Sequence, residues 1–237
     1  MPRKSFAAPT LFTLIGLVLL LGLGTWQVQR LHWKEGLIAE RAAAVSGAPA
    51  ALPRTLDEAR ALEFHRVRAA GRFLHEHELH LHATTAVGEA GFHVVTPFAL
   101  ARGGTVLVDR GFVPQRLLDP ATRAASNPAG EVEVTGLLRL APDGRPSWFS
   151  PDNRSDRNEW FYIDTAAMAQ AARLPDVPQF YVDADATPNP GGFPLGAQTR
   201  LDLPNDHLQY AVTWYALAGA LVIVYILLLR RRRGESN

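Results

Sequence analysis

The chain has 237 residues, a formal net charge of +1, 47% hydrophobic residues and no cysteine. The missing cysteine excludes disulfides, thiolate metal ligands and cysteine nucleophiles, so metal chemistry would fall to histidine or carboxylate. The near-neutral total hides an asymmetry: Arg3 and Lys4 give +2 at one end, Arg230 to Arg233 less Glu235 give +3 at the other, and 18 Lys and Arg against 22 Asp and Glu leave the middle at −4. An acidic middle argues against a nucleic-acid binder, which needs a basic stripe to neutralise phosphates.

Residues 1–6 form a short basic lead. Ala7 to Trp26 is then a run of twenty uncharged residues, and at about 1.5 Å rise per residue it covers roughly the 30 Å of a bilayer core. It predicts a transmembrane helix over residues 7–28. Thr25, Trp26 and Gln27 close the run where a cleavable signal would have small residues, and the nearest A-x-A, Ala42 to Ala44, lies too far downstream; this favours a permanent anchor. Helical periodicity continues beyond, with Trp26 and Trp33 seven apart, Arg30 between them and Leu37 and Ile38 following. By themselves the tryptophans fit an interfacial aromatic belt. Ala42 to Pro53, small and proline-bounded, reads as a linker, and Thr55 with Glu58 three residues on opens a short helix through a capping box.

From Phe64 the chain changes to short β-forming runs separated by Gly, Asn or Pro. Strands are predicted over Arg66 to Phe73, Glu78 to Ala83, Phe92 to Leu100, Thr105 to Arg110, Val132 to Leu140, Trp160 to Ile163 and Gln179 to Val182, with a helix over Thr165 to Arg173 capped by Asp164. Regular strand-helix alternation is missing, so residues 29–204 read as one β-rich α+β domain, mainly antiparallel, either a sheet or an open barrel. Asn153 to Asn158 and Pro188 to Gly196 are turn-rich loops.

The densest polar cluster is HEHELHLH. Read as a strand, it puts His75 and His77 on one face and His80 and His82 on the other, and two imidazoles at that spacing can share copper, nickel or zinc. A solvated edge or hairpin explains the same residues without metal. Asp109 and Arg110, at the end of a predicted strand, read as a turn salt bridge. There is no P-loop, G-x-G-x-x-G, H-E-x-x-H or G-x-S-x-G, and catalysis is not expected.

Residues 205–229 form the second predicted transmembrane helix, with twenty residues free of formal charge from Tyr210 to Leu229 and a polar start at Asn205, Asp206 and His207. The basic tail, residues 230–237, outweighs Arg30, Lys34 and Arg41 after the first helix and places both termini in the cytoplasm. The fold class is therefore a membrane protein in which two transmembrane α-helices flank an extracytoplasmic β-rich domain. With Asn205 as cap, His207 falls in the first turn, where the helix dipole favours a neutral, ligating imidazole. His207, Tyr210, Ala211 and Trp214 share one face by 3, 4 and 7 spacing. That face suits a flat apolar cofactor such as haem, and equally an interfacial histidine in an aromatic belt.

Four segments in order, GTWQVQRLHWK at Gly24 to Lys34, GFHVVTPF at Gly91 to Phe98, VLVDRGFVP at Val106 to Pro114 and NDHLQYAVTWYALA at Asn205 to Ala218, resemble the surfeit-locus-one family of cytochrome c oxidase assembly factors. The chain departs from the family pattern at Asp109 and Phe112, where Asn and Trp are more usual. The resemblance implies a non-enzymatic inner-membrane chaperone of the respiratory chain that assists haem a insertion into the oxidase catalytic subunit, with haem a synthase as a further partner. It also implies His207 as a haem ligand. Combined with the residue reading, Trp26, Tyr210 and Trp214 would flank the ring and Arg30 would pair with a propionate. The alternatives are a scaffold for oxidase subunits that binds no cofactor, and a periplasmic copper chaperone using His75, His77, His80 and His82.

Overall fold

The computed structural model describes residues 7–85, 87–175, 177–197 and 205–234. Arg3, Lys4 and Glu235, which entered the charge argument, lie outside them. The chain divides into a helical unit, Met1–Glu40 with Asp202–Asn237, and a sheet-rich unit, Arg41–Leu201.

In the helical unit, α1 (Ala7–Ser46) and α4 (His207–Gly234) are both long and apolar enough to cross a membrane. At about 1.5 Å per residue, the 40 residues of α1 extend roughly 60 Å, twice a bilayer core. The helix therefore absorbs the first half of the expected linker, because Ala42 to Ala44 are helix formers that nothing interrupts before Gly47. The two helices run antiparallel: Thr10 bonds the Tyr225 hydroxyl (2.6 Å) near one end, Thr25 meets the Tyr215 hydroxyl (3.1 Å), and Gln27 bonds His207 near the other. Small residues allow the approach. Gly24, Ala211 and Ala218 are buried, and a Cβ on Gly24 would stand 2.8 Å from the Tyr215 ring.

The sheet-rich unit begins with β1 (Ala50–Ala51), two residues of the expected linker that pair in parallel with β2. It continues with α2 (Leu56–Ala61), β2 (Arg66–Phe73), β3 (Leu79–Thr84), β4 (Ala90–Leu100), β5 (Thr105–Pro114), β6 (Val132–Leu140), β7 (Glu159–Trp160), α3 (Thr165–Ala171) and β8 (Phe180–Ala184). Thr55 Oγ1 accepts from the Glu58 amide (3.2 Å), and Glu58 reaches back to the Arg54 amide (2.8 Å). Asp164 caps α3 through the Ala167 amide (3.0 Å).

The strands order as β1-β2-β6-β8-β5-β4-β3-β7, and a further β2–β4 pairing joins Gly71, Arg72 and Phe73 to Leu100, Ala99 and Phe98. That pairing closes β2, β6, β8, β5 and β4 into a five-stranded barrel, which decides between sheet and barrel. The ladders are mostly antiparallel, but β5 and β8 run parallel, their connection containing α3. One core cluster draws on all five barrel strands, through Val67, Phe98, Val108, Val134, Leu138 and Val182, and takes in Leu52 and Ala59. A second packs Leu79, Val95, Leu107 and Tyr181 under Trp160, Ile163 and Met168. Leu107 and Val108 belong to different clusters because alternate residues of β5 face opposite sides.

Candidate functional site

The polar start of α4 is built differently from the simplest expectation. The Asp206 carbonyl accepts from the Tyr210 amide (3.2 Å), so Asp206 rather than Asn205 holds the capping position, and Asn205 Oδ1 is buried without a partner among the described residues. His207 is the first helical residue. Its Nδ1–H donates to Oε1 of Gln27 on α1 at 2.7 Å, and Gln27 is only 9% exposed. With the carboxamide oxygen as acceptor, the proton of a neutral imidazole resides on Nδ1 and Nε2 carries the lone pair. This is the second-sphere arrangement that fixes tautomer and ring orientation in metal-ligating histidines.

The other expected residues disperse around this contact. Ala211 is buried, while Tyr210 is 54% exposed and Trp214 half-buried. Helix geometry explains the split: at 3.6 residues per turn, a residue three positions on falls about 60° to one side of His207 and one four positions on about 40° to the other. On α1, Trp26 is half exposed, and the Arg30 guanidinium stacks 4.4 Å over the Trp33 ring. Gln27 was not singled out from the sequence. Its only signal was an uncharged polar residue directly after the apolar run.

The histidine cluster does not form a single strand. His75 to His77 make a 3-10 turn, because β3 begins only at Leu79. His80 and His82 thus share one face of β3 while His75 and His77 precede it. His75 Nε2–H donates to the Pro128 carbonyl (3.1 Å), and burial lowers its pKa against the opposing effect of that bond. His80 donates to Glu78 (3.0 Å), and His82 stacks on Phe161 with ring centroids 4.6 Å apart. Among the described residues no three His, Asp or Glu side chains converge as a metal site.

Asp109 and Arg110 lie inside β5, not at its end, and do not bond each other. The strand continues to Pro114 because residues 112–114 pair with the start of β4. Asp109 accepts from His93 Nδ1 (2.6 Å) and from the Gly111 amide (2.9 Å). Burial by itself would lower the His93 pKa, but the bond and charge of Asp109 prevail and raise it. Arg110 continues the inward row of Val106 and Val108, stacks over Phe73 (4.8 Å) and donates to Asn127 Oδ1 (3.0 Å) and the Ser126 carbonyl. Burial brings its pKa down to about 10. Nearby, Arg123 and Glu78 form a buried ion pair. Burial would raise the Glu78 carboxyl, yet its bonds to His80 and Arg123 hold it below the usual range.

Two apolar helices joined through a polar contact, together with a small mixed barrel, define a membrane protein that presents a folded domain. A profile of the SURF1 family matches residues 14–219. Surfeit locus protein 1 of Mus musculus is 41% identical over 214 residues, covering 84% of this chain and 68% of its own. The Homo sapiens protein of that name is 40% identical over 215 residues, with coverage of 84% and 70%. The SURF1-like protein of Monosiga brevicollis is 38% identical over 232 residues, with coverage of 93% and 87%. The chain belongs to the SURF1 family.

Proposed function

We propose that the protein is a non-enzymatic assembly factor for haem-copper cytochrome c oxidase, one that assists haem a insertion by holding the haem transiently at the start of α4. The assembly role rests on family membership. The haem role rests on one observation, the 2.7 Å bond from His207 Nδ1 to buried Gln27, which leaves the Nε2 lone pair to ligate an iron. Haem, as cargo, supplies an iron that takes an imidazole nitrogen and a flat apolar face. The chain answers with a tautomer-fixed histidine and with the half-exposed rings of Trp26 and Tyr210 on the two helices. Trp214 adds a further aromatic wall, and Arg30 supplies a cation for a propionate.

In this reading the flanking charge places both termini in the cytoplasm and the barrel in the periplasm, at the inner membrane where the oxidase catalytic subunit and haem a synthase would be met. The copper reading has less support, since His75 and His80 each commit Nε2 to a protein partner.

The test is haem content and absorption spectrum of the full chain purified in detergent from cells that make haem a. His207→Ala is expected to lose the Soret band. Gln27→Ala is expected to weaken haem binding by about 10- to 100-fold, as removal of a second-sphere partner does. Unchanged occupancy and spectrum in His207→Ala would refute the ligand assignment, and a colourless wild type that still co-purifies with oxidase would favour a scaffold.

A further inference from the structure

In the sheet-rich unit the most exposed large apolar side chains among the described residues are Val87 (89%), Trp148 (88%) and Phe149 (74%). Val87 is isolated, whereas Trp148 and Phe149 are adjacent, packed edge to face with centroids 5.7 Å apart. They occupy the two central positions of a turn between β6 and β7. The turn is built to hold them: the Ser150 amide donates to the Ser147 carbonyl (3.1 Å), the two serine hydroxyls bond each other (2.8 Å), and Arg145 pairs with Asp152 across the base. Leaving two large aromatics in water at a preorganised tip is costly, and neither the fold nor the proposed haem site uses them.

We propose that this tip is a membrane-contact element, in which Trp148 and Phe149 insert at the headgroup boundary of the bilayer that α1 and α4 cross. Area argues for lipid over a protein partner. Two aromatic side chains offer about 150–250 Å² each, so the tip presents roughly 300–500 Å². A stable protein interface needs about 800 Å² from each side. Lipid insertion has no such threshold here. The sheet-rich unit is tethered to membrane-crossing helices, and a weak partition becomes effective when the surface is always at high local concentration.

The chemistry agrees with this occupant. Tryptophan and its aromatic neighbours concentrate at membrane-water interfaces, where an amphipathic ring meets headgroups. The charged residues within 143–157, Asp143, Arg145, Asp152, Arg154, Asp156 and Arg157, cancel. The contact is thus suited to zwitterionic lipid rather than to the anionic surfaces that polybasic segments select. A turn already held by its own hydrogen bonds and ion pair loses little freedom on insertion.

The absence of cysteine makes the test direct. A nitroxide on Ser150→Cys, in full-length protein reconstituted into phosphatidylcholine vesicles, is expected to collide with dissolved oxygen in preference to a water-soluble nickel chelate. That preference should be lost when Trp148 and Phe149 are both changed to Ser, and a label on the exposed control Glu131→Cys should favour the chelate throughout. A label at 150 that favours the chelate with both aromatics present overturns the proposal. So does a label that is water-exposed in pure lipid but ordered only in membranes containing other proteins, which would give the tip to a protein partner. Unlabelled chain provides a second reading that leaves Ser150 intact. Trp148→Leu should remove fluorescence quenched by brominated phosphatidylcholine, and removal of an iodide-quenched component instead would place the tip in water.

Discussion

At the scale of single residues, the His93–Asp109 pair carries a measurable pH dependence. Asp109 is one of the two positions at which the chain departs from the pattern it resembles, and it meets His93 at 2.6 Å with both side chains largely buried. The folded protein holds the His93 pKa above its ordinary value of 6.5. A raised folded-state pKa means that the stabilisation is complete below the unfolded value and disappears as pH climbs through the folded one. Wild-type stability is therefore expected to decline upward from about pH 6.5, and Asp109→Asn, which keeps an acceptor and removes the charge, should flatten that decline. Urea midpoints at pH 6 and pH 8 for the two proteins check this. Equal slopes would show that Asp109 is not what holds the proton on His93. None of this was visible in the sequence, because His93 and Asp109 are 16 residues apart and meet only through the register of β4 and β5.

Among the elements, the helix pair depends on where small residues fall. Gly24 lies under the Tyr215 ring, whereas nothing lies within 4 Å of a Cβ built on Gly22 two residues earlier. Gly24→Ala should therefore lower the thermal stability of the detergent-solubilised chain, while Gly22→Ala should leave it unchanged or slightly raise it through better helix propensity. Equal effects at the two positions would mean that the Gly24–Tyr215 contact does not hold the helices together. Strands and short helices were largely legible, since their signals are local. β2 and β6 begin and end where alternation and turn residues place them, and the caps of α2 and α3 follow from Thr55 and Asp164. The HEHELHLH segment misled because alternation of His with Glu and Leu looks like a strand even where a 3-10 turn supplies the first half. The α4 start misled by one residue: either Asn205 or Asp206 has cap chemistry, and only the backbone bond to Tyr210 selects Asp206.

For the molecule as a whole, the division into two units predicts separable behaviour. The core clusters draw entirely on residues within Arg41–Leu201. A fragment of residues 41–201 should thus fold with a β-sheet circular dichroism spectrum and a cooperative thermal transition, yet bind no haem, since Gln27 and His207 lie outside it. A fragment that is unfolded would show that the helices are needed to stabilise the barrel, and one that retains haem would move the cargo site away from α4. What the sequence could not supply at this scale was the order of the strands. A mixed barrel with β5 and β8 in parallel requires β8, the last strand, to insert between β6 and β5, and such long-range pairing leaves no periodic trace.

Barrel closure has a consequence for the order in which the fold assembles and opens. The β4–β5 hairpin is local and long, with eight paired positions, whereas the β2–β4 seam has three and joins residues 25 to 29 apart in sequence. Three positions return little against the chain entropy of closure, so this seam should form late and open early, as should the β5–β8 ladder, which also has three positions and joins residues 74 apart. Gly71 marks the point, because any Cβ there would run into the Ala99 carbonyl. Amide protons across Gly71 to Phe73 should exchange with deuterium faster than those in the middle of β5, and Gly71→Ala should widen that difference. Uniform protection around the barrel would mean that the ring opens only by unfolding altogether. The closed ring is thus expected to breathe at its short seams before it unfolds, much as a clasped bracelet parts first at its catch.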